Sequence, residues 1–137
     1  MANFFMSRFE PQLLSMLRIV IALNFMQHGV QKLFGLLGGT RATLMTLPWF
    51  AGVLEFFGGL LVLIGLFTRP VAFVLAGLMA VAYYMAHRPQ GFFPILNQGE
   101  PAVLFAFVFL YLSAAGPGPW SIDAMRGGGR LADRSRV

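Results

Sequence analysis

The chain has no cysteine among its 137 residues, which excludes disulfides, iron–sulfur clusters, thiol relays and cysteine-attached haem. Any redox role must therefore rest on a bound cofactor or a partner. Charge is scarce as well: Asp, Glu, Lys and Arg make up 11% of the residues, apolar types 58%, and the mean hydropathy is +0.73. So few charges cannot clothe an ordinary water-soluble domain, and the composition is that of an integral membrane protein. The N-terminus MANFFMSRFEPQ has no basic stretch leading into an uninterrupted apolar core and a small-residue cleavage site, so the first span is expected to stay as an anchor. No glycine loop for a nucleotide phosphate is present either, because GGT at 38–40 lacks the strand and helix around it. No metal or nucleotide is expected; His28 and His87 could ligate one haem axially, but two haems would need more histidines than the chain has.

What the chain does have is apolar length. Four segments, bounded by proline, glycine and charge, run over 13–34, 47–67, 70–86 and 101–115, with a basic tail over 120–137. At 1.5 Å per residue the first two cross ~30 Å of hydrocarbon, the third is borderline and the fourth is short. Together with their loops they use the whole length, so the expected architecture is a single all-α domain, an integral membrane four-helix bundle. Only Thr68 and Arg69 separate segments two and three, which makes those helices antiparallel neighbours. Ala51, Glu55 and Gly59 on segment two, and Ala72, Ala76 and Ala80 on segment three, recur every four residues, a spacing that lets helices approach closely in lipid.

The net charge of +5 does not indicate nucleic acid, because basic residues cluster beside spans: Arg8, Arg69, Arg126, Arg130, Arg134 and Arg136 on one side, Lys32, Arg41 and Arg88 on the other. Six against three puts both termini in the cytoplasm and the loops 35–46 and 88–100 outside.

One stretch breaks the apolar pattern. In NFMQHGVQKLFG at 24–35, Asn24, Gln27, His28, Gln31 and Lys32 fall within an arc of about 140° on a helix. A polar face cannot point at lipid cheaply, so it must look into the bundle or a wet cavity. Glu55 is the one charge in segment two, and counting 1.5 Å per residue puts it and His28 at similar depth, roughly 10 Å below the outer interface. Tyr84 and His87 approach that level from segment three, Asn97 and Glu100 from the loop before segment four. One carboxylate in the membrane, one or two imidazoles, an ammonium and several amides can donate to carbonyl oxygens and exchange protons, as quinone chemistry requires. They could equally bind a small polar solute.

Each residue also has a structural alternative. Glu55 could bridge two helices, His28 could serve as helix–helix glue, and Lys32 could snorkel outward. Arg18 is either another snorkeller or a partner for a tail carbonyl or acid. Tyr83 and Tyr84 suit an interfacial aromatic belt.

Arg18, NFMQHGVQKLFG, EFFGG at 55–59, GLFTRP at 65–70, NQGE at 97–100 and GPGPWSID at 116–123, in that order, resemble the DoxX family of small four-helix membrane proteins. The matched positions in the first two helices are Arg18, His28, Gly29, Lys32, Gly35, Glu55, Gly59, Gly65, Thr68 and Arg69. The resemblance implies a four-helix bundle in the bacterial inner membrane, a similarity to the small membrane subunit of a thiosulfate:quinone oxidoreductase, and a redox partner. It brings no assigned catalytic residue. The resulting expectation is a membrane subunit that binds a quinone or quinone-like molecule in a polar cavity near the outer leaflet. Glu55 and His28 would exchange protons, while Asn24, Gln27, Gln31, Lys32, Tyr84, His87, Asn97 and Glu100 would surround the ligand. Two other readings compete: a non-catalytic scaffold or assembly factor, and a solute carrier, the latter disfavoured because one copy shows no inverted repeat or broken helix pair. A homo-oligomer is compatible with all three.

Overall fold

The computed structural model describes residues 5–127; the tail arginines Arg130, Arg134 and Arg136 lie outside them. Apart from loops, the described residues are helical. A 3-10 turn over Phe5–Phe9 leads into α1 (Glu10–Phe34), with Pro11 in its first turn and Gly35 at its end. Helix α2 (Leu47–Ile64) contains a π turn over Leu54–Gly58. Helix α3 (Thr68–Gln90) contains a second π turn over Tyr83–His87 and closes in a 3-10 turn. A short α4 (Pro94–Asn97) precedes α5 (Glu100–Ala115), which has proline in its first turn and stops at Gly116. Residues 122–127 form a further helical turn.

Among the described residues, three helices are long and apolar enough to cross a membrane, and α5 is a shorter apolar one. Large apolar side chains such as Val20, Phe73, Leu104 and Phe107 are more than half exposed, as lipid-facing residues must be. This is a helical membrane bundle. Its boundaries depart from the pattern of hydropathy in two places. Helix α2 ends at Ile64 because Gly65 turns left-handed, with φ +69°, so Gly65–Phe67 is the connector and Thr68 and Arg69 are already the first turn of α3. Helix α3 runs on past 86 because His87 and Arg88 sit at its far end, where polar groups reach the interface.

Packing is closest within two antiparallel pairs, α1 with α2 and α3 with α5. The pairs meet over a core of Ala22, Phe25, Val62, Leu75, Phe105, Phe109 and Leu112, with Phe25 edge-on to Phe105 and Phe109 at 5.2 and 4.7 Å. At Gly29 the α1 and α2 backbones touch: a Cβ there would lie 2.6 Å from the Phe56 amide nitrogen and 2.9 Å from the Gly52 carbonyl oxygen. The buried α2 face is Gly52, Glu55, Gly59 and Val62, so Gly52 rather than Ala51 continues the small-residue stripe. On α3, Ala72 and Ala76 are buried and Ala80 is exposed.

At the end of the bundle that carries the tail, the segment 116–123 folds under the helices as a strap. Arg18, 1% exposed, donates through Nη2 to the Trp120 carbonyl at 2.5 Å, and the Trp120 amide donates to Ser15 Oγ at 3.2 Å. The Arg18 guanidinium lies over Gly65, where a Cβ would collide with Nη1. Of the two roles expected for Arg18, the structure shows the tail-carbonyl partner. Arg69 donates to the carbonyls of Ser113, Ala114 and Ala115 at the α5 C-terminus, where a cation also meets the helix dipole.

Asp123 closes the strap. Its carboxylate accepts from the Phe67 amide at 3.0 Å and the Thr68 amide at 2.9 Å, capping α3 from 55 residues away. Burial favours its protonated form, but the amide hydrogen bonds from Thr68 and Phe67, with Arg126 nearby, outweigh that and hold its pKa below the usual carboxylate value. The stabilisation is therefore complete above the unfolded pKa and is lost as pH falls through the folded one. Asp123→Asn, which keeps one acceptor but loses the second and the charge at the helix start, should lower the thermal midpoint in detergent at neutral pH by the equivalent of about 1 kcal/mol. The gap to wild type should close below about pH 4, and a gap constant down to pH 3 would contradict the assignment.

Candidate functional site

The polar face of α1 reaches three different places near the other end of the bundle, where the loops lie. Lys32 turns toward α2, where Nζ meets Glu55 Oε1 at 2.5 Å. The Glu55 side chain is 2% exposed and that of Lys32 33%, so the carboxylate is desolvated while the ammonium keeps contact with the surface. A buried carboxylate is tolerated only with such a partner. Glu55 sits in the π turn Leu54–Gly58, a distortion that frequently marks functional positions. Its other oxygen, Oε2, is buried and accepts no hydrogen bond from the described residues.

Asn24, Gln27 and His28 are exposed and point along the other flank of α1, toward α5. With Ile21, Pro101, Leu104 and Phe105 they line an open groove of about 330 Å³. The His28 ring stands edge-on to Phe105 at 5.7 Å and 87°. Asn24 Nδ2 donates back to the Val20 carbonyl at 3.0 Å, which satisfies one amide donor within the helix. The flanking surface of α1 and α5 is apolar and exposed, Leu23 and Leu104 among it, so the groove opens sideways to the bilayer. Gln31 belongs to neither site: its Nε2 donates to the Leu37 carbonyl at 3.0 Å and ties down a loop in which Leu37 has φ +55°.

His28 and Glu55 are level along the bundle, since Gly29 abuts Phe56, but the structure shows no hydrogen bond between them. Lys32 is the group between, four residues from His28 on one helix face and bonded to Glu55.

Of the residues expected from α3 and the following loop, His87 and Asn97 join Tyr83 in a separate cluster, and Tyr84 and Glu100 stand outside it. Asn97, 1% exposed, donates to Tyr83 Oη at 3.2 Å and to the Gly91 carbonyl at 2.7 Å, and accepts from the Gly99 amide at 2.8 Å. His87 Nδ1 lies 3.0 Å from the Asn97 carbonyl oxygen, and Tyr83 Oη donates to the Phe92 carbonyl at 2.5 Å. These side chains spend their polar atoms on backbone, so they hold the loop in shape. Tyr84 points outward, 63% exposed, with the Arg88 guanidinium 4.7 Å over its ring. Glu100 is exposed in the first turn of α5, where a carboxylate suits the helix dipole.

The groove wall formed by Pro101, Leu104 and Phe105 was not foreseeable, because one phenylalanine in an apolar helix looks like any other. No group of three or more His, Cys, Asp or Glu among the described residues could hold a metal ion.

Comparison with known proteins agrees with this architecture. The DoxX family model matches residues 13–88, which cover most of α1, all of α2 and most of α3. The chain is 38% identical over 125 residues to an uncharacterized protein of Haemophilus influenzae, covering 86% of this chain and 93% of that one. It is 31% identical over 127 residues to an uncharacterized membrane protein of Mycobacterium tuberculosis, covering 78% and 77%. No solved structure matches.

Proposed function

The chain belongs to the DoxX family, and we propose that it is the membrane-embedded component of a redox system that binds a quinone or quinone-like molecule in the groove between α1 and α5. It would sit in a bacterial inner membrane with the tail strap toward the cytoplasm and the groove in the outer leaflet, as the distribution of arginine and lysine favours. The observation that carries this reading is the groove itself: polar side chains of Asn24, Gln27 and His28 share it with an apolar wall of Leu104 and Phe105, and exposed apolar side chains flank its opening. An uncharged, planar conjugated ring with carbonyl oxygens fits that lining. Amide and imidazole donors reach the oxygens, Phe105 offers a ring edge or face, and an apolar tail leaves through the open side. Charged or very polar solutes would leave the apolar wall unmatched.

Electrons would come from a redox partner, since the chain has no thiol to supply them. Protons are where its own residues enter. His28 is placed to hold or release a proton at a ligand oxygen, and Lys32 with Glu55 forms a protonatable reserve on the other flank of the same helix. Of the residues expected around the ligand, Asn24 and Gln27 bind, His28 exchanges the proton, and Lys32 and Glu55 stand behind it.

Titrating a short-tailed ubiquinone or menaquinone analogue into purified protein in detergent, and following intrinsic fluorescence, tests this. His28→Ala and Gln27→Ala should weaken binding roughly tenfold each, the loss of a hydrogen bond worth about 1.5 kcal/mol. Wild-type protein that binds no quinone, or variants that bind as wild type does, would exclude the groove. A scaffold or assembly role is favoured by a different observation, the Lys32–Glu55 bridge between α1 and α2. If that role holds, substitutions at the bridge lower stability and partner recovery while leaving the groove silent toward quinones.

A further inference from the structure

Helix α5 has 16 residues and rises only about 24 Å, less than the ~30 Å hydrocarbon core. Its register against α3 is fixed at both ends. Arg69 donates to the carbonyls of Ser113, Ala114 and Ala115 at one end, and at the other a Cβ on Gly99 would lie 2.6 Å from Tyr83 Cε2. Helix α3 therefore continues beyond the start of α5 by the stretch 84–90, about 10 Å, and from Arg69 to Gln90 it rises about 32 Å. The chain then returns over that last stretch as 91–99, which includes α4. Measured from the Arg69 level, this return lies at the height where hydrocarbon gives way to headgroups.

We propose that residues 91–99 form a re-entrant segment seated in the bilayer, with lipid acyl chains as the partner of its outer surface, so that α4 and α5 together make the fourth crossing. Two independent features fit this. First, the segment exposes Phe92, Phe93, Ile95 and Leu96 at 70, 61, 76 and 73%, four large apolar side chains within five residues. Second, four of its backbone groups are satisfied by protein side chains: Tyr83 serves Phe92, Asn97 serves Gly91 and Gly99, and His87 serves Asn97. Non-helical backbone at membrane depth requires such partners, because lipid offers none. The Arg88 guanidinium over the Tyr84 ring marks the headgroup level beside it, as expected of a cation and an aromatic at an interface.

The absence of cysteine makes the test direct. Single variants Phe93→Cys and Ile95→Cys of the full chain, spin-labelled in phosphatidylcholine/phosphatidylglycerol proteoliposomes, are compared with Phe107→Cys, a lipid-facing position on α5. Collisions with dissolved oxygen should exceed collisions with a water-soluble nickel chelate at all three sites. Nickel collisions dominating at 93 and 95, with Phe107→Cys still oxygen-dominated, would overturn the proposal. Asn97→Ala, added to Phe93→Cys, should raise nickel access at 93 and leave the Phe107→Cys signal unchanged in its own Asn97→Ala background. No change at 93 would refute the part assigned to Asn97.

Discussion

Gly29→Leu is expected to abolish the native pairing of α1 and α2. The first added atom would already sit 2.6 Å from the Phe56 amide nitrogen and 2.9 Å from the Gly52 carbonyl oxygen, and neither is a side chain that can rotate away. Overpacking against movable side chains costs about 1–3 kcal/mol; against backbone the helices must separate, so a loss above that range is expected. Separation also pulls Lys32, three residues along α1, from Glu55. Far-UV melting and size-exclusion profiles in detergent should show a much lower midpoint and aggregation. Gly77→Leu on α3 is the control. A Cβ there meets nothing within 4 Å, and its effect should stay within about 0.5 kcal/mol. Equal behaviour of the two variants would mean that α1 and α2 do not cross at Gly29.

The second large effect lies in the Lys32–Glu55 pair. Lys32→Met leaves a carboxylate at 2% exposure with no cation, and breaking a buried pair from one side costs about 3–5 kcal/mol. Glu55→Gln should cost less, because an amide remains neutral and Lys32, one-third exposed, can turn to the surface. The double variant Lys32→Met with Glu55→Gln should recover most of the loss, leaving a strongly non-additive cycle. Thermal midpoints of the four proteins measure it, and additive losses would show that the 2.5 Å contact carries no coupling. Quinone titrations on the double variant add a functional readout. Recovered stability with weakened quinone binding would tie the pair to the ligand site; recovered stability with unchanged binding would assign it to the bundle.

The resemblance motifs separate into two physical jobs. Arg18, Gly65, Thr68, Arg69 and the strap 116–123 hold the tail end together through polar contacts and close packing. Gly29, Glu55, Gly59 and Lys32 set the crossing and ion pair nearer the loop end, and Gly35 ends α1 there. His28 serves neither job. It is exposed in the groove, and this is why the functional reading turns on it.

Composition and hydropathy alone determined that this is a multi-helix membrane protein, because 58% apolar residues in long runs leave water no surface to wet. Periodicity alone placed Asn24, Gln27, His28, Gln31 and Lys32 on one face, since a helix fixes angle by residue number. Residue counting also put His28 and Glu55 at one depth. What counting could not give is direction across the bundle. An arc of about 140° is wide enough to meet two neighbouring helices and a loop, and only the packing of α1 between α2 and α5 sent Lys32 to Glu55, His28 to the groove and Gln31 to Leu37. Likewise Asn97 and His87 read as site residues because polar atoms at membrane depth demand partners. Whether the partner is a ligand or the protein's own backbone is decided by where the chain leaves its helices, which is a property of the folded loop and not of the residues that serve it.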